Sequence, residues 1–293
     1  LRRMGLLKAD AMTVTGRSLA ENLDWWAESE SRSRFRELLE ALDGVDPGDV
    51  VMDPDTARSR GLTSTVCFPT GNIAPEGSVV KSTSIDPSVV DDDRVYRKQG
   101  PVRIFTSEKA AVNAVRDPGA GGIKPGDILV LMGRGPMGAG MEEIAQITTA
   151  LKYLDFGKHV AVLTDARFSG ISTGACIGHI GPEALAGGPI GKLDEKDIVE
   201  IVIDQMNLIG SINLIGHDGE MFGAEEGTRV LRERPFRKDL GADPNLPDDT
   251  RLWAALQNVS GVTWGGCVYD AERIVEALAA GSGLGNQGSH AAG

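Results

Sequence analysis

Two stretches of this 293-residue chain set reactive side chains among glycines. The first, Gly133 to Glu143, reads GRGPMGAGMEE and follows Ile128 to Met132, an apolar run of strand length. Its first six residues satisfy G-x-G-x-x-G, which lets backbone amides approach a dinucleotide pyrophosphate. An acid, Asp165, ends the next apolar run, where such a site needs one. The last two residues, Glu142 and Glu143, argue otherwise. At a helix entrance they would repel phosphate and would suit a hard cation such as Mg²⁺. Pro136 also removes one amide donor. Spacing alone leaves three readings open: dinucleotide binding, metal or substrate binding, and a turn whose acids cap a helix.

The second stretch, Thr164 to His179, reads TDARFSGISTGACIGH. Arg167 offers a two-pronged donor for a carboxylate. Ser169, Ser172 and Thr173 offer hydroxyls, and Gly170 and Gly174 allow close backbone approach. Ser169 lacks a G-x-S-x-G elbow, so a hydrolase nucleophile is unsupported. The competing reading is a Ser/Gly-rich connector with one surface Arg, and His179 as a core or loop histidine. A third stretch, Gly71 to Lys81 (GNIAPEGSVVK), pairs Glu76 with Lys81, either as site residues or as an ordinary surface ion pair.

The elements that must carry these loops follow from periodicity. Ser107 to Arg116 reads as a short amphipathic helix capped by Thr106 or Ser107. Ile128 to Met132 and His159 to Leu163 read as buried strands, with a helix from Glu142 to Tyr153 between them. A helix between strands implies parallel pairing. Asp197 to Ile203 alternates as another strand. Helices are expected from Asp248 or Asp249 through Leu256 and from Ala271 to Ala280. Upstream, helical pieces flank the loop Asp10–Gly16, with Ser18 as a cap, and residues 27–64 read as a surface helix and connector. The texture changes near Thr65. The expected organisation is 1–64 as the remnant of a preceding domain with a linker, 65–280 as the main domain, and 281–293 as a disordered tail. Because the first residue is Leu1, the chain reads as a piece of a longer protein.

Composition narrows the function classes. Charged residues at 25% and hydrophobic residues at 41% are ordinary for a globular protein. No apolar run is long enough for a transmembrane helix, and no signal peptide opens the chain. Thirty basic against 42 acidic residues give a net charge of −12, which disfavours nucleic acid and anionic lipid as partners. An anionic substrate would need cations concentrated at its site. Cys67, Cys176 and Cys267 are widely spaced with no C-x-x-C pair, which fits a reducing cytoplasm better than disulfides or a local zinc site.

GNIAPEGSVVK, GDILVLMGRGPMGAGMEE and LTDARFSGISTGACIGHIGPEALAGGPIG together resemble the C-terminal part of the dihydroxy-acid and phosphogluconate dehydratase family. ADAMTVTGRSLAENL resembles the end of that family's N-terminal domain. LPDDTRLWAALQNVSGVTWGGCVYD resembles its sugar-acid branch, the D-xylonate dehydratases. The resemblance implies an α/β fold: a swivel-type β/β/α C-terminal domain with a mixed, barrel-like sheet, beside the remnant of an α/β N-terminal domain. It implies a hydro-lyase that converts a 2,3-dihydroxy acid to a 2-keto-3-deoxy acid and water with Mg²⁺ and an iron–sulfur cluster. Carried over by motif, Glu143 holds metal, Ser169 is the base, and Ser172 or Thr173 is a substrate hydroxyl. Position 142, often Pro in the wider family, is Glu here. We expect Arg167 to orient the acid or the loop. The family's cluster cysteines and its lysine and aspartate metal ligands lie in the N-terminal domain, so no complete cluster is expected on this chain. A homo-oligomeric enzyme acting on a small sugar acid is implied. A dihydroxy-acid dehydratase and a non-catalytic domain remain alternatives.

Overall fold

The computed structural model describes residues 1–285 except Thr63, Pro118, Ala120, Val262 and Cys267. Along the chain it divides into two compact units, the first ending at Leu62. The reading of Cys267 lies outside the described residues.

In the first unit, Ser18 caps α1 (Leu19–Glu28) through a reciprocal box with Glu21. Ser29 caps α2 (Glu30–Asp43), which ends on Gly44 in the left-handed conformation. Two short helices follow, α3 (Pro47–Val50) and α4 (Pro54–Ser59), each with an Asp cap and a Pro in its first turn. No side chain of α1, α2 or α4 is buried, and Trp25, Trp26, Phe35 and Leu42 stand exposed.

The second unit is built on a nine-stranded mixed sheet. In chain order it contains β1 (Val66–Cys67), β2 (Gly77–Lys81), β3 (Val95–Phe105), α5 (Glu108–Arg116), β4 (Ile128–Leu131), α6 (Pro136–Ala139), β5 (Glu143–Ile144) and α7 (Gln146–Lys152). It continues with β6 (Ala161–Thr164), β7 (Arg167–Phe168), β8 (Cys176–Gly181), β9 (Asp197–Asp204), β10 (Ile209–His217), β11 (Glu220–Met221), α8 (Gly223–Glu233), α9 (Asp248–Val259) and α10 (Ala271–Gly285). The sheet order is β1-β2-β8-β6-β4-β3-β9-β10-β11. Strands β8, β6, β4 and β3 run parallel, as the helix between β4 and β6 requires, and the flanking strands are antiparallel.

Burial follows from that position. Every residue of β4 and β6 is buried, as expected for central strands covered on both faces. One face packs Leu129, Leu131 and Val162 under α5 and α7. The other packs Ile128, Val130 and Leu163 against Ile177, Ile201 and Leu214. Strand β9 alternates buried and half-buried residues, so it turns one face inward.

The sheet curls into a half-barrel. The segment before β2 reaches across to β10 through the Thr70–Ser211 bridge. Asn72 fastens this closure: its amide NH₂ donates to Leu214 O and Ala224 O, both at 3.0 Å, and its Oδ1 accepts from Leu214 N at 2.7 Å. Asp197, fully buried, holds Arg234 in a two-pronged pair at 2.6 and 3.0 Å and contacts His217 at 2.8 Å, which ties α8 to the β9–β10 edge.

Three expectations change. The helix read from Glu142 begins at Gln146, because Met141 adopts a left-handed φ of 61° and Glu143–Ile144 pair as a strand. The helix α10 runs to Gly285, into the segment read as a disordered tail, and residues 286–293 lie outside the described ones. Ser107 stands at the start of α5 without a side-chain capping bond. Among the described residues no helix is long and apolar enough to cross a membrane. Replacing Asn72 by Ala removes the partner of three backbone groups, two of β10 and one of α8, so Asn72→Ala should lower unfolding free energy by about 2–3 kcal/mol in urea titrations, with an unchanged m-value.

Candidate active site

The turn after β4 is held by carboxylates. Asp165, at the end of β6 and 1% exposed, accepts the amides of Gly133 and Arg134 at 2.9 Å each and that of Ala184 at 3.0 Å. Glu183 accepts the Met137 amide at 2.9 Å, and Gly135 lies so close to its carboxylate that a Cβ would collide. Burial raises both carboxyl groups, against the pull of those amide donors.

This arrangement decides against the dinucleotide reading. The amides of Gly133, Arg134 and Met137 already serve internal acids, and Glu183 sits where α6 begins. A pyrophosphate would meet two carboxylates and no free cradle. Asp165, read as a ribose-binding acid, is instead the turn's internal anchor.

The two glutamates part company. Glu142 forms a two-pronged pair with Arg134 at 2.6 Å for both contacts, and Asp243 approaches the same guanidinium at 3.4 Å. Glu143 is exposed and paired in register with Arg167 across the parallel β5–β7 ladder. Their side chains meet only at 3.9 Å. The α7 amides these acids were read as capping, those of Ala145 and Gln146, instead donate to Glu108 at 3.2 and 3.0 Å.

The second loop continues from that ladder. Ser169 is 7% exposed, and its amide donates to Ile144 O at 3.2 Å, which extends the pairing with the first loop. Its Oγ accepts the Ile171 amide at 3.3 Å. An N–H aimed at a hydroxyl oxygen favours its deprotonated form. The other two hydroxyls point elsewhere. Ser172 is buried and its Oγ accepts from Thr148 at 3.2 Å. Thr173 is exposed and lines a separate cavity of about 460 Å³ with Thr83, Ser84 and Lys158. The structure thus brings together the backbones of Glu143, Arg167 and Ser169; the Ser172 amide joins them by donating to Ser169 O at 3.0 Å, while its hydroxyl and that of Thr173 face away from that group.

Lys81, which the sequence left open as a site residue or as half of a surface ion pair with Glu76, joins them. Its ammonium donates to Gly170 O at 2.5 Å and lies 6.0 Å from the Phe168 ring. Among the described residues no ion pair links it to Glu76. The signal was a Lys at the end of a strand; its direction depended on β2 pairing with β8. His179 packs its ring edge-on against Phe168 at 5.9 Å, and burial followed by the nearby Arg167 charge lowers its basicity.

The donor set can be compared with the implied cofactors. Magnesium commonly takes one or two carboxylates and leaves other positions to water and substrate. Glu143, exposed and weakly paired, fits as one such ligand. An iron–sulfur cluster does not fit. Cys67 and Cys176 are buried free thiols, and burial pushes Cys176 up to about 12. Among the described residues no three His, Cys, Asp or Glu side chains gather as a metal cage.

The fold and these motifs define a class. The family model for the dihydroxy-acid/6-phosphogluconate dehydratase C-terminal region matches residues 55–215, and the chain belongs to this family. Within it, the chain is 58% identical over 281 residues to D-xylonate dehydratase YagF of Escherichia coli K12, covering 96% of this chain and 42% of that protein. It is 56% identical over 280 residues to D-xylonate dehydratase YjhG of the same organism, covering 95% and 42%. A dihydroxy-acid dehydratase from Nocardioides sp. is 38% identical over 248 residues, covering 84% and 36%. The chain spans less than half the length of these relatives.

Glu183 yields a test of the turn. Burial, opposed by the Met137 amide and reinforced by Asp165, pushes its carboxyl from 4.5 up to about 7. The folded state therefore holds this proton more tightly than the unfolded chain, and stability falls as pH rises through that window. Glu183→Gln should remove this decline: relative to the parent, the variant should gain stability between pH 5 and pH 8 in denaturant titrations.

Proposed function

We propose that this chain supplies the base-bearing half of a sugar-acid dehydratase that converts a 2,3-dihydroxy acid, D-xylonate foremost, to its 2-keto-3-deoxy acid and water. The observation that carries the reading is the β5–β7 ladder, which joins the Glu143 and Ser169 loops at backbone level. The sugar-acid branch is favoured over a dihydroxy-acid dehydratase because identity to the two D-xylonate dehydratases is 58% and 56%, against 38% to the Nocardioides protein. Free buried thiols at Cys67 and Cys176 suit a reducing cytoplasm.

In this reading the chain's own residues do three things. Arg167 and Lys81 gather positive charge on an otherwise acidic protein and attract the substrate carboxylate. Ser169 takes the proton from C2. The electron pair released there forms the C2–C3 double bond as the C3 hydroxyl departs, and that hydroxyl leaves as water after gaining a proton. The resulting enol returns to the keto form by protonation at C3. A free serine is a poor base, so its proton must be made labile by donors and positive charge around Oγ. The Ile171 amide is one donor to Oγ, and the Lys81 ammonium, bonded to the next peptide carbonyl, adds positive charge. Glu143 would hold magnesium, whose chemistry is to polarise the substrate's carboxylate and C2 hydroxyl and so acidify the C2 proton. Arg167 would orient the substrate carboxylate. Ser172, bonded to Thr148, would brace the loop, while Thr173 would meet substrate only in a rearranged loop. The iron–sulfur cluster of the whole enzyme would be ligated outside the described residues.

Two variants of the full-length enzyme test this. Ser169→Ala should reduce D-xylonate turnover by about 10²–10⁴-fold in a coupled assay for the keto acid. Glu143→Gln should raise the magnesium concentration for half-maximal activity by about tenfold or more. Near-parental values for both would defeat the reading. Calorimetric titration with NAD should give no binding heat.

A further inference from the structure

The chain beyond residue 215, where the family match ends, returns to both loops of the site. At one end, the Asp243 amide donates to Gly138 O at 2.7 Å, and its carboxylate approaches Arg134 at 3.4 Å. Arg134 grips Glu142 at 2.6 Å, and Glu142 is the residue before Glu143. Leu240 lies against Gly133 and Thr250 against Gly140, with no room for a side chain at Gly140. Helix α9, about 18 Å long by its residue count, packs on α6. At the other end, the Trp264 indole N–H donates to His179 O at 3.0 Å, and its ring fills the space over Gly77 and Gly181. His179 holds a left-handed φ of 54°, uncommon for a residue with a side chain. Its ring meets Phe168, the residue before Ser169.

We propose that the described residues on either side of α9 form a strap, with Asp243 and Trp264 as positioning residues, that sets where Glu143 stands relative to Ser169. Each end acts through a short chain of fixed contacts: Asp243 through Arg134 and Glu142, and Trp264 through His179 and Phe168. One anchored end would be ordinary packing. Two ends, joined by a helix and placed on the two loops, hold the separation between them. Dehydration needs the metal ligand and the base at matched positions on one small acid, and misplacement by about 1 Å can slow a reaction about a hundredfold. The inference rests on the function proposed above.

The test uses the full-length enzyme with its metals restored. Trp264→Phe keeps an aromatic ring and deletes the indole N–H. Asp243→Asn keeps the backbone bond to Gly138 and weakens the Arg134 contact. Each should lower kcat about tenfold while KM for D-xylonate stays within about twofold. In the metal-free protein, amide hydrogen exchange across 133–144 and 166–172 should speed up by a similar factor. Parental kcat and parental exchange in both variants would overturn the strap while leaving the proposed function intact, provided Ser169→Ala still abolishes turnover. A loss of kcat accompanied by a general fall in melting temperature and exchange protection throughout the sheet would also overturn it, since that is simple destabilisation. Normal turnover in Ser169→Ala and Glu143→Gln would remove the function itself.

Discussion

The site depends on one buried carboxylate. Asp165 ends a strand whose residues are all buried, and it is itself almost fully shielded from water. A lone carboxylate in that position is strongly unfavourable. Three backbone amides, from the turns after β4 and β8, offset that penalty and are in turn satisfied by it. Neither turn has a regular partner for those donors, so removing the acid would strand all three. Asp165 therefore fixes the point from which the first loop departs toward Glu143 and the second toward Ser169.

Charge is sorted with equal economy. Of the cations near the loops, Arg134 is committed to Glu142 and Asp243. Arg167 and Lys81 are not so bound: one meets an acid only at 3.9 Å and the other donates to a carbonyl. A chain of net charge −12 thus keeps uncommitted positive side chains next to its candidate base. The acids follow the same division, with Glu142 committed and Glu143 left exposed.

Much of this was legible in the residues. The continuous apolar runs from Ile128 and His159 announced central parallel strands, the second of which begins at Ala161 after a single helical turn at Gly157–His159, and alternation announced β9. The motifs named Glu143, Arg167 and Ser169. What was not legible depended on contacts between distant segments. Glu142 looked like a helix cap until Met141 turned left-handed and the helix started later. Glu108, in the first turn of α5, caps α7 instead of its own helix, by accepting the amides of Ala145 and Gln146. Asp165 matched a ribose-binding acid by spacing, because spacing cannot show that its oxygens face inward. Lys81 and the contacts of Asp243 and Trp264 needed the strand order and the chain's return path, which no local pattern encodes.

The β5–β7 ladder is only two residues long, and its brevity carries a further consequence. Side chains in a strand alternate, so a slip of one position would set Phe168 across from Glu143 and swing the guanidinium away. A single-residue insertion in the glycine turn before Glu143, harmless on most protein surfaces, would here exchange a cation for a phenyl ring beside the acid. That turn should therefore tolerate substitution far better than any change in length.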